Sequence, residues 1–362
     1  MARKKIFFAG PCVLPMEVLE EMRDNIVDYH GNGVSMIETS HRGGMFEEMY
    51  NECLGSIRQL YHIPEDYEVF FLGGGATLQF TMIPNAFLKP GTVADYLKSG
   101  TWSNKAVEDA EKIGKVNLYF DGTDSKFTTL PDPKSVRPSS PESSYLYLCA
   151  NETIGGIEWQ SFPDYQEPVP MICDMSSDFF SRPVPVERFA MIYGGVQKNL
   201  GPAGAVLVII KKSLLERQRP GLTAYMDYAL HAKKEGLYNT PPVFSIWGVK
   251  LMMDWIKKNG GVEQMEKNAI EKSSMVYDVI DSSDFFRSPV DKRFRSRMNV
   301  VFRLPSEDLE KKFVSEATAA GFLGLKGHRS VGGLRASLYN ACPKQDVIDL
   351  CGFMKEFERK NG

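Results

Sequence analysis

The chain has 362 residues, 43% of them apolar and 25% charged, enough for a large core and more than one domain. Its formal net charge of −3 offers no broad basic surface, which argues against nucleic acid or anionic membrane as partners, so any anion site must be a local cluster of cations. The six cysteines are scattered without a C-x-x-C, no segment is long enough to span a bilayer, and the apolar run in the opening MARKKIFFAGPC is far shorter than a signal-peptide core; a cytoplasmic protein with free thiols and no metal framework is expected.

Along the chain, VSMIE is strand-like and leads into Ser40-His41-Arg42-Gly43. EVFFLGGG predicts a strand ending in a glycine turn, and TLQFTMIPNAFL a helix with apolar residues at helical spacing. TVADYL, KVNLYF, YLYLCA, VPMICDM and FAMIYGG predict further short strands, with helical stretches such as SNKAVEDAEKI between some of them. The alternation points to an α/β protein with a mostly parallel sheet covered by helices. The Pro- and Ser-rich run from Leu130 to Ser144 reads as a loop, and GGVQKNLGPAGA precedes the apolar AVLVII. SIWGVKLMMDWIKKNGG predicts a long helix stopped at Gly260 and Gly261. Beyond a boundary near Asn259 come the helical VEQMEKNAIEKSSMVYDVID, the strand RMNVVFRL, a helix through EDLEKKFVSEATAAG, the strand-like GGLRASLYN and a last helix to Glu358, a small α+β unit with its own core.

Ligands of open α/β sheets bind beyond the carboxyl ends of the strands, so the polar residues there are the candidates. After EVFFL, the run Gly73 to Thr77 opens a helix, and its bare backbone N–H groups suit an anion. It is neither a P-loop nor G-x-G-x-x-G, and a simple tight turn accounts for it equally well. Asn151-Glu152-Thr153 follows YLYLCA, Asp174 closes VPMIC, and Gln197-Lys198 follow FAMIYGGV. A carboxylate closing a buried strand is costly without a facing cation, although an Asx turn or helix cap also explains Asp174. An anion cradle, a carboxylate and a lysine at three strand ends match the needs of pyridoxal 5'-phosphate. That cofactor takes a lysine amine, a carboxylate on its pyridinium nitrogen and donors for its phosphate. Trp102, between a strand and a helix on the same edge, is placed to cover the ring. Gly327-His328-Arg329 and Arg335 add cations suited to carboxylates and phosphates, or else are solvated surface residues.

Taken together, SHRGGMFEEMY, GGGATLQF, ADYLKSGTWS, CANETIGGIE, DMSSDFFSRP, GGVQKNLGPAG, YNTPP, RSRMN and GHRSVGGLRASLYNA closely resemble the phosphoserine aminotransferases, class V members of the aspartate-aminotransferase fold family, from about Phe7 to Phe357. The resemblance implies fold type I of the pyridoxal-phosphate enzymes. A large cofactor domain with a mostly parallel seven-stranded sheet would span 17–258, a smaller α+β domain 259–362, and a segment 1–16 would pack with the small domain. It implies Lys198 as the lysine joined to the cofactor, Asp174 on the pyridinium nitrogen, Trp102 over the ring, Thr153 and Gln197 as hydrogen-bonding ligands, and Ala76 and Thr77 at the phosphate. Asn239 and Thr240 would reach that phosphate from the other subunit of a homodimer. His41 and Arg42, His328 and Arg329 would take the distal anion of the substrate, and Arg335 its α-carboxylate. The implied substrates are glutamate, phosphohydroxypyruvate, phosphoserine and 2-oxoglutarate, and the route serine biosynthesis, with phosphohydroxythreonine of pyridoxine biosynthesis as a second candidate. Two departures stand out. Some members carry Gly-Arg where this chain has Ala76-Thr77, and Ser where Ala9 stands.

Three other readings remain at this stage. A desulfurase or related lyase of the same fold needs a reactive cysteine on a mobile loop, for which Cys342 is the nearest candidate. A non-catalytic binding protein would have no use for Lys198, Asp174 and Trp102 together. A nicotinamide dehydrogenase would need the glycine fingerprint that is missing here.

Overall fold

Both faces of the central strands are buried, which is why they read as unbroken apolar runs rather than alternating ones. In the computed structural model, which describes residues 3–164 and 168–362, seven strands form one sheet. They are numbered β1 (Tyr67–Gly73), β2 (Val93–Lys98), β3 (Lys115–Asp121), β4 (Leu146–Cys149), β5 (Met171–Asp174), β6 (Met191–Gly195) and β7 (Ala205–Lys211). Their spatial order is β1-β7-β6-β5-β4-β2-β3. Only β7 runs against its neighbours, pairing antiparallel with β6 and β1.

Successive residues of a strand point to opposite faces. Ala205, Leu207 and Ile209 of β7 therefore enter one core, together with Leu146 and Leu148. Val206, Val208 and Ile210 enter the other, together with Tyr147. Helices Gly44–Tyr61 and Val243–Lys258 cover the first face through Met49, Ile57, Trp247 and Met253. Helices Ala76–Phe87 and Thr101–Ala110 cover the second through Phe80, Ile83, Ala106 and Val107.

A third core joins Val276 of helix Gly261–Asp281, Phe302, Phe313, Leu334 and Met354. Phe7 and Val13 also belong to it, and Lys5–Ile6 pairs in parallel with Phe322–Leu323. The N-terminal segment thus packs on the C-terminal elements, where Asn299–Phe302 pairs antiparallel with Leu334–Ser337. Hydrogen bonds between distant polar residues cross from this unit to the sheet. Asn151 Nδ2 donates to Asn299 Oδ1 at 2.8 Å, Arg297 Nη2 meets Glu158 Oε1 at 2.6 Å, and Asn340 N donates to Asn199 Oδ1 at 2.9 Å.

VSMIE is not a strand. Met36–Glu38 is a single 3-10 turn, begun by Ser35 Oγ accepting from the Ile37 N–H. Met36 is buried while Ile37 is 48% exposed, and among the described residues no strand pairs with the segment. The 130–144 run is irregular except for a 3-10 turn at Pro133–Ser135, and the last helix extends to Asn361.

Candidate active site

Because β1, β2, β4, β5 and β6 share a direction, their carboxyl ends lie on one edge of the sheet. The reversed β7 begins on that edge, so the loop carrying Lys198 leaves β6 and returns into β7 without crossing the sheet. Glycine is required in this loop's approach. A Cβ on Gly194 would stand 3.0 Å from the Ser176 Cα and 2.8 Å from the Phe179 ring.

Lys198 is buried, and its Nζ donates to Thr153 Oγ1 at 2.8 Å and lies 5.0 Å from the centroid of the Trp102 ring. Burial pushes its pKa below the ordinary 10.5, partly offset by Asp174, Cys149 and Glu152 and reinforced by Arg335. An amine so placed yields its proton more readily than a surface lysine. Asp174, at the end of β5, is held by Ser176, whose N–H (2.8 Å) and hydroxyl (2.6 Å) both donate to Oδ1. Ser176 Oγ in turn accepts from the Gly195 N–H at 3.0 Å, so the carboxylate cannot rotate freely. Among the described residues nothing donates to Asp174 Oδ2, which leaves it available to a ligand.

Arg335 reaches the same cluster from the C-terminal unit, its Nη1 donating to the Thr153 carbonyl at 3.1 Å. Burial lowers its pKa, and its Nε is buried without a partner among the described residues. His328, whose Nδ1 lies 2.7 Å from Ser330 Oγ, has its pKa lowered by burial and then by the charges of Arg335, Arg329 and Lys105. An anion arriving among these cations would favour the protonated ring. Lys105, which no motif marked out, also stands 4.9 Å from the Trp102 centroid.

At the end of β1, Gly74 has φ +94, a conformation that excludes most side chains, and a Cβ on Gly75 would meet no atom within 4 Å. The free N–H groups at Ala76 and Thr77, the start of helix Ala76–Phe87, therefore face an open approach. Gln197 is half-buried in the Lys198 loop.

Two predicted pairs make no hydrogen bond or ion pair with this cluster among the described residues. Asn239 and Thr240 are exposed, with Asn239 Nδ2 donating to the Thr240 carbonyl at 3.1 Å. Arg42 is exposed and His41 half-buried, its Nε2 buried without a partner among the described residues. No hydrogen bond or ion pair among the described residues links them to Lys198, Thr153 or Arg335.

Sequence reasoning assigned no role to Ser176, Asn199, Asn340 or Glu152. Ser176, two residues after a strand-closing Asp, carried a recognisable Asx-turn signal. For the desulfurase reading, Cys342 is buried and its thiol is pushed up to about 11 by burial. The thiol that senses Lys198 is Cys149, also buried and pushed up. Neither is a reactive loop cysteine.

The residues fit a flat, phosphate-bearing heteroaromatic ring. An open helix start suits its phosphate, Asp174 Oδ2 is free for a ring nitrogen, and Trp102 offers a face opposite Lys198. Trp102 Nε1 is also buried without a partner among the described residues, a costly state that a bound polar group relieves.

The class-V aminotransferase family model matches residues 6–350, and the chain belongs to that family. A phosphoserine aminotransferase of Laribacter hongkongensis is 47% identical over 357 residues, covering 98% of this chain and 99% of its own. The phosphoserine aminotransferase structure from Bacillus circulans subsp. alkalophilus superposes with a TM-score of 0.97 at 43% identity, covering 99% of each chain. That of Trichomonas vaginalis, solved with pyridoxal phosphate bound, gives a TM-score of 0.90 at 39% identity over 98% of this chain and 100% of its own. Within the class, the chain belongs with the phosphoserine aminotransferases.

Proposed function

We propose that the protein is a pyridoxal-phosphate-dependent transaminase. It moves an amino group reversibly between glutamate and phosphohydroxypyruvate, giving phosphoserine and 2-oxoglutarate in cytoplasmic serine biosynthesis. The observation that carries this reading is the convergence of Lys198, Thr153, Asp174 and Trp102 at one sheet edge, with Arg335 bonded to the same Thr153 and His328 and Arg329 beside it.

Pyridoxal phosphate, when bound, supplies a reactive carbonyl carbon and an electron-withdrawing ring that makes the Cα–H bond of an amino acid breakable. Ala76 and Thr77 would hold its phosphate, Asp174 the proton on its ring nitrogen, Trp102 and Gln197 its ring. Lys198, with a depressed pKa, would take the proton from Cα at Nζ and deliver it to the former carbonyl carbon rather than back to Cα, while Thr153 Oγ1 orients that nitrogen. Arg335 binds the α-carboxylate common to all four substrates, and His328 and Arg329 the second anion. One set of cations therefore serves a carboxylate and a phosphate, which is how a mildly acidic protein can select doubly anionic substrates. Phosphohydroxythreonine presents the same two groups and is a second candidate substrate.

A homodimer completes the site on this reading. It gives Asn239-Thr240, which make no hydrogen bond to the cluster among the described residues, a partner's phosphate site to enter, while His41-Arg42 would add to the cations that take the substrate's anion. Tyr238 and Phe244, 40% and 41% exposed beside that first loop, gain cover.

A coupled assay with phosphoserine and 2-oxoglutarate, run beside an absorbance spectrum of the purified protein, tests the reading. Turnover with visible cofactor absorbance is expected. A colourless protein that does not regain turnover with added pyridoxal phosphate would refute it.

A further inference from the structure

Glu152 has no solvent exposure and no ion-pair partner among the described residues. Its carboxylate instead closes the start of helix Thr101–Ala110. Oε2 accepts from the Trp102 N–H at 2.9 Å, and Oε1 accepts from the Ser103 N–H at 2.8 Å and the Ser103 hydroxyl at 2.6 Å. The N-cap residue of that helix is Gly100, which has no side chain to cap it. A Cβ there would stand 2.5 Å from the Glu152 carboxyl carbon, so the glycine makes room for a carboxylate delivered from another strand end. Burial pushes the Glu152 carboxyl up, while the three donors and the positive end of the helix favour its charged form.

A serine or aspartate at the N-cap would satisfy those N–H groups without burying a distant charge. What the distant carboxylate adds is a rigid link. Its neighbour Thr153 accepts from Lys198 Nζ, so residues 152 and 153 hold the Trp102 backbone with one side chain and the lysine with the next. We propose that Glu152 is a positioning residue whose buried carboxylate sets the Trp102 ring at its working distance from Lys198, and with it the fit of the cofactor ring. This rests on the pyridoxal-phosphate reading above.

The test is Glu152→Gln in the full chain, alone and combined with Trp102→Ala. Glutamine keeps the shape; with its oxygen serving Ser103, its NH2 group opposes the Trp102 N–H, donor against donor. Pyridoxal phosphate is titrated into the apoprotein and followed by visible circular dichroism. Glu152→Gln weakens binding about tenfold and diminishes the cofactor band. In the Trp102→Ala background the same change costs less than about twofold, because no ring is left to position. Equal losses in both backgrounds, or wild-type affinity and dichroism in Glu152→Gln, overturn the proposal, since a plain helix cap lowers only the melting temperature. Should Glu152→Gln fail to fold, Gly100→Ala displaces the carboxylate from its other side and must show the same dependence on Trp102. A wild-type protein that binds no pyridoxal phosphate refutes the cofactor reading itself, a result distinct from binding that ignores Glu152.

Discussion

Truncating Arg335 to alanine is the sharpest probe of substrate binding. The guanidinium uses Nη1 on the Thr153 carbonyl, while Nε and Nη2 have no partner among the described residues. Those two donors match a carboxylate in the bidentate manner. Hydrogen bonds to a charged group contribute about 1.5–3 kcal/mol each, and water entering the truncated site returns part of that, so a loss of roughly 3–4 kcal/mol is expected. At about 1.4 kcal/mol per decade, kcat/KM should fall by between two and three orders of magnitude. Glutamate, 2-oxoglutarate, phosphoserine and phosphohydroxypyruvate all carry the α-carboxylate, so each half of the reaction should suffer by a similar factor. Coupled assays with each substrate varied in turn measure this. Arg335→Lys should fall between wild type and alanine, because a point charge replaces a planar fork. If one substrate loses its full factor while its partner is untouched, a shared carboxylate anchor is the wrong account.

Lys198→Ala should reduce transamination by at least about a thousandfold while changing the melting temperature little, since it removes an amine that burial already disfavours as a cation. Borohydride reduction followed by mass spectrometry should find a cofactor adduct at Lys198 in the wild type and none in the variant. Lys272 makes the opposite case, a buried ammonium with a structural task. Its Nζ donates to the carbonyls of Tyr339 (2.7 Å) and Cys342 (3.1 Å), and at 3.4 Å to that of Asn340. Lys272→Met leaves two well-placed carbonyls unsatisfied and should cost roughly 2–4 kcal/mol in a denaturant melt. Burial lowers the Lys272 pKa from 10.5, with the thiols of Cys342 and Cys12 opposing that shift. The unfolded chain therefore holds the Lys272 proton more tightly than the folded one. Wild-type stability relative to Lys272→Met should rise with pH between the lowered value and 10.5, and a gap that shrinks over that window would contradict the burial argument.

Most of the sheet was legible because its inner strands bury both faces, unlike the edge strand Lys115–Asp121, which has no buried residue. That burial writes an unbroken apolar run such as AVLVII, and the polar residues ending such runs fall on one edge by topology alone. Asp174, Lys198 and Trp102 could be picked out on that basis. VSMIE failed the same test because its apolar content serves one buried methionine in a turn, and five residues do not separate the two patterns. The direction of β7 was likewise hidden, since antiparallel and parallel buried strands have the same composition. Glu152 was quoted in a motif without a role. Its meaning lies in a Gly100 that stands far away in the chain, and no local pattern joins a glycine to the carboxylate that fills its missing side chain.

The same limit governs how the two halves of the site meet. Lys198 belongs to the sheet and Arg335 to the C-terminal unit, yet transamination needs both on one small molecule. Asn199, next to Lys198, accepts from the Asn340 N–H through Oδ1 and donates through Nδ2 to the Phe179 carbonyl, while Asn340 Nδ2 donates to the Phe180 carbonyl. Lys272 fixes the same Tyr339–Cys342 turn from behind. The lysine loop is thus bolted to the turn that follows the Arg335 strand by amide side chains, which offer donor and acceptor together and hold a register that apolar contacts, being non-directional, would not. On this argument Lys272→Met should reach the chemistry as well as the fold. Loosening the turn lets the Arg335 strand end drift relative to Lys198, so KM for glutamate should rise before kcat falls. A variant destabilised as expected but unchanged in KM would mean that Asn199 and Asn340 hold the register without help.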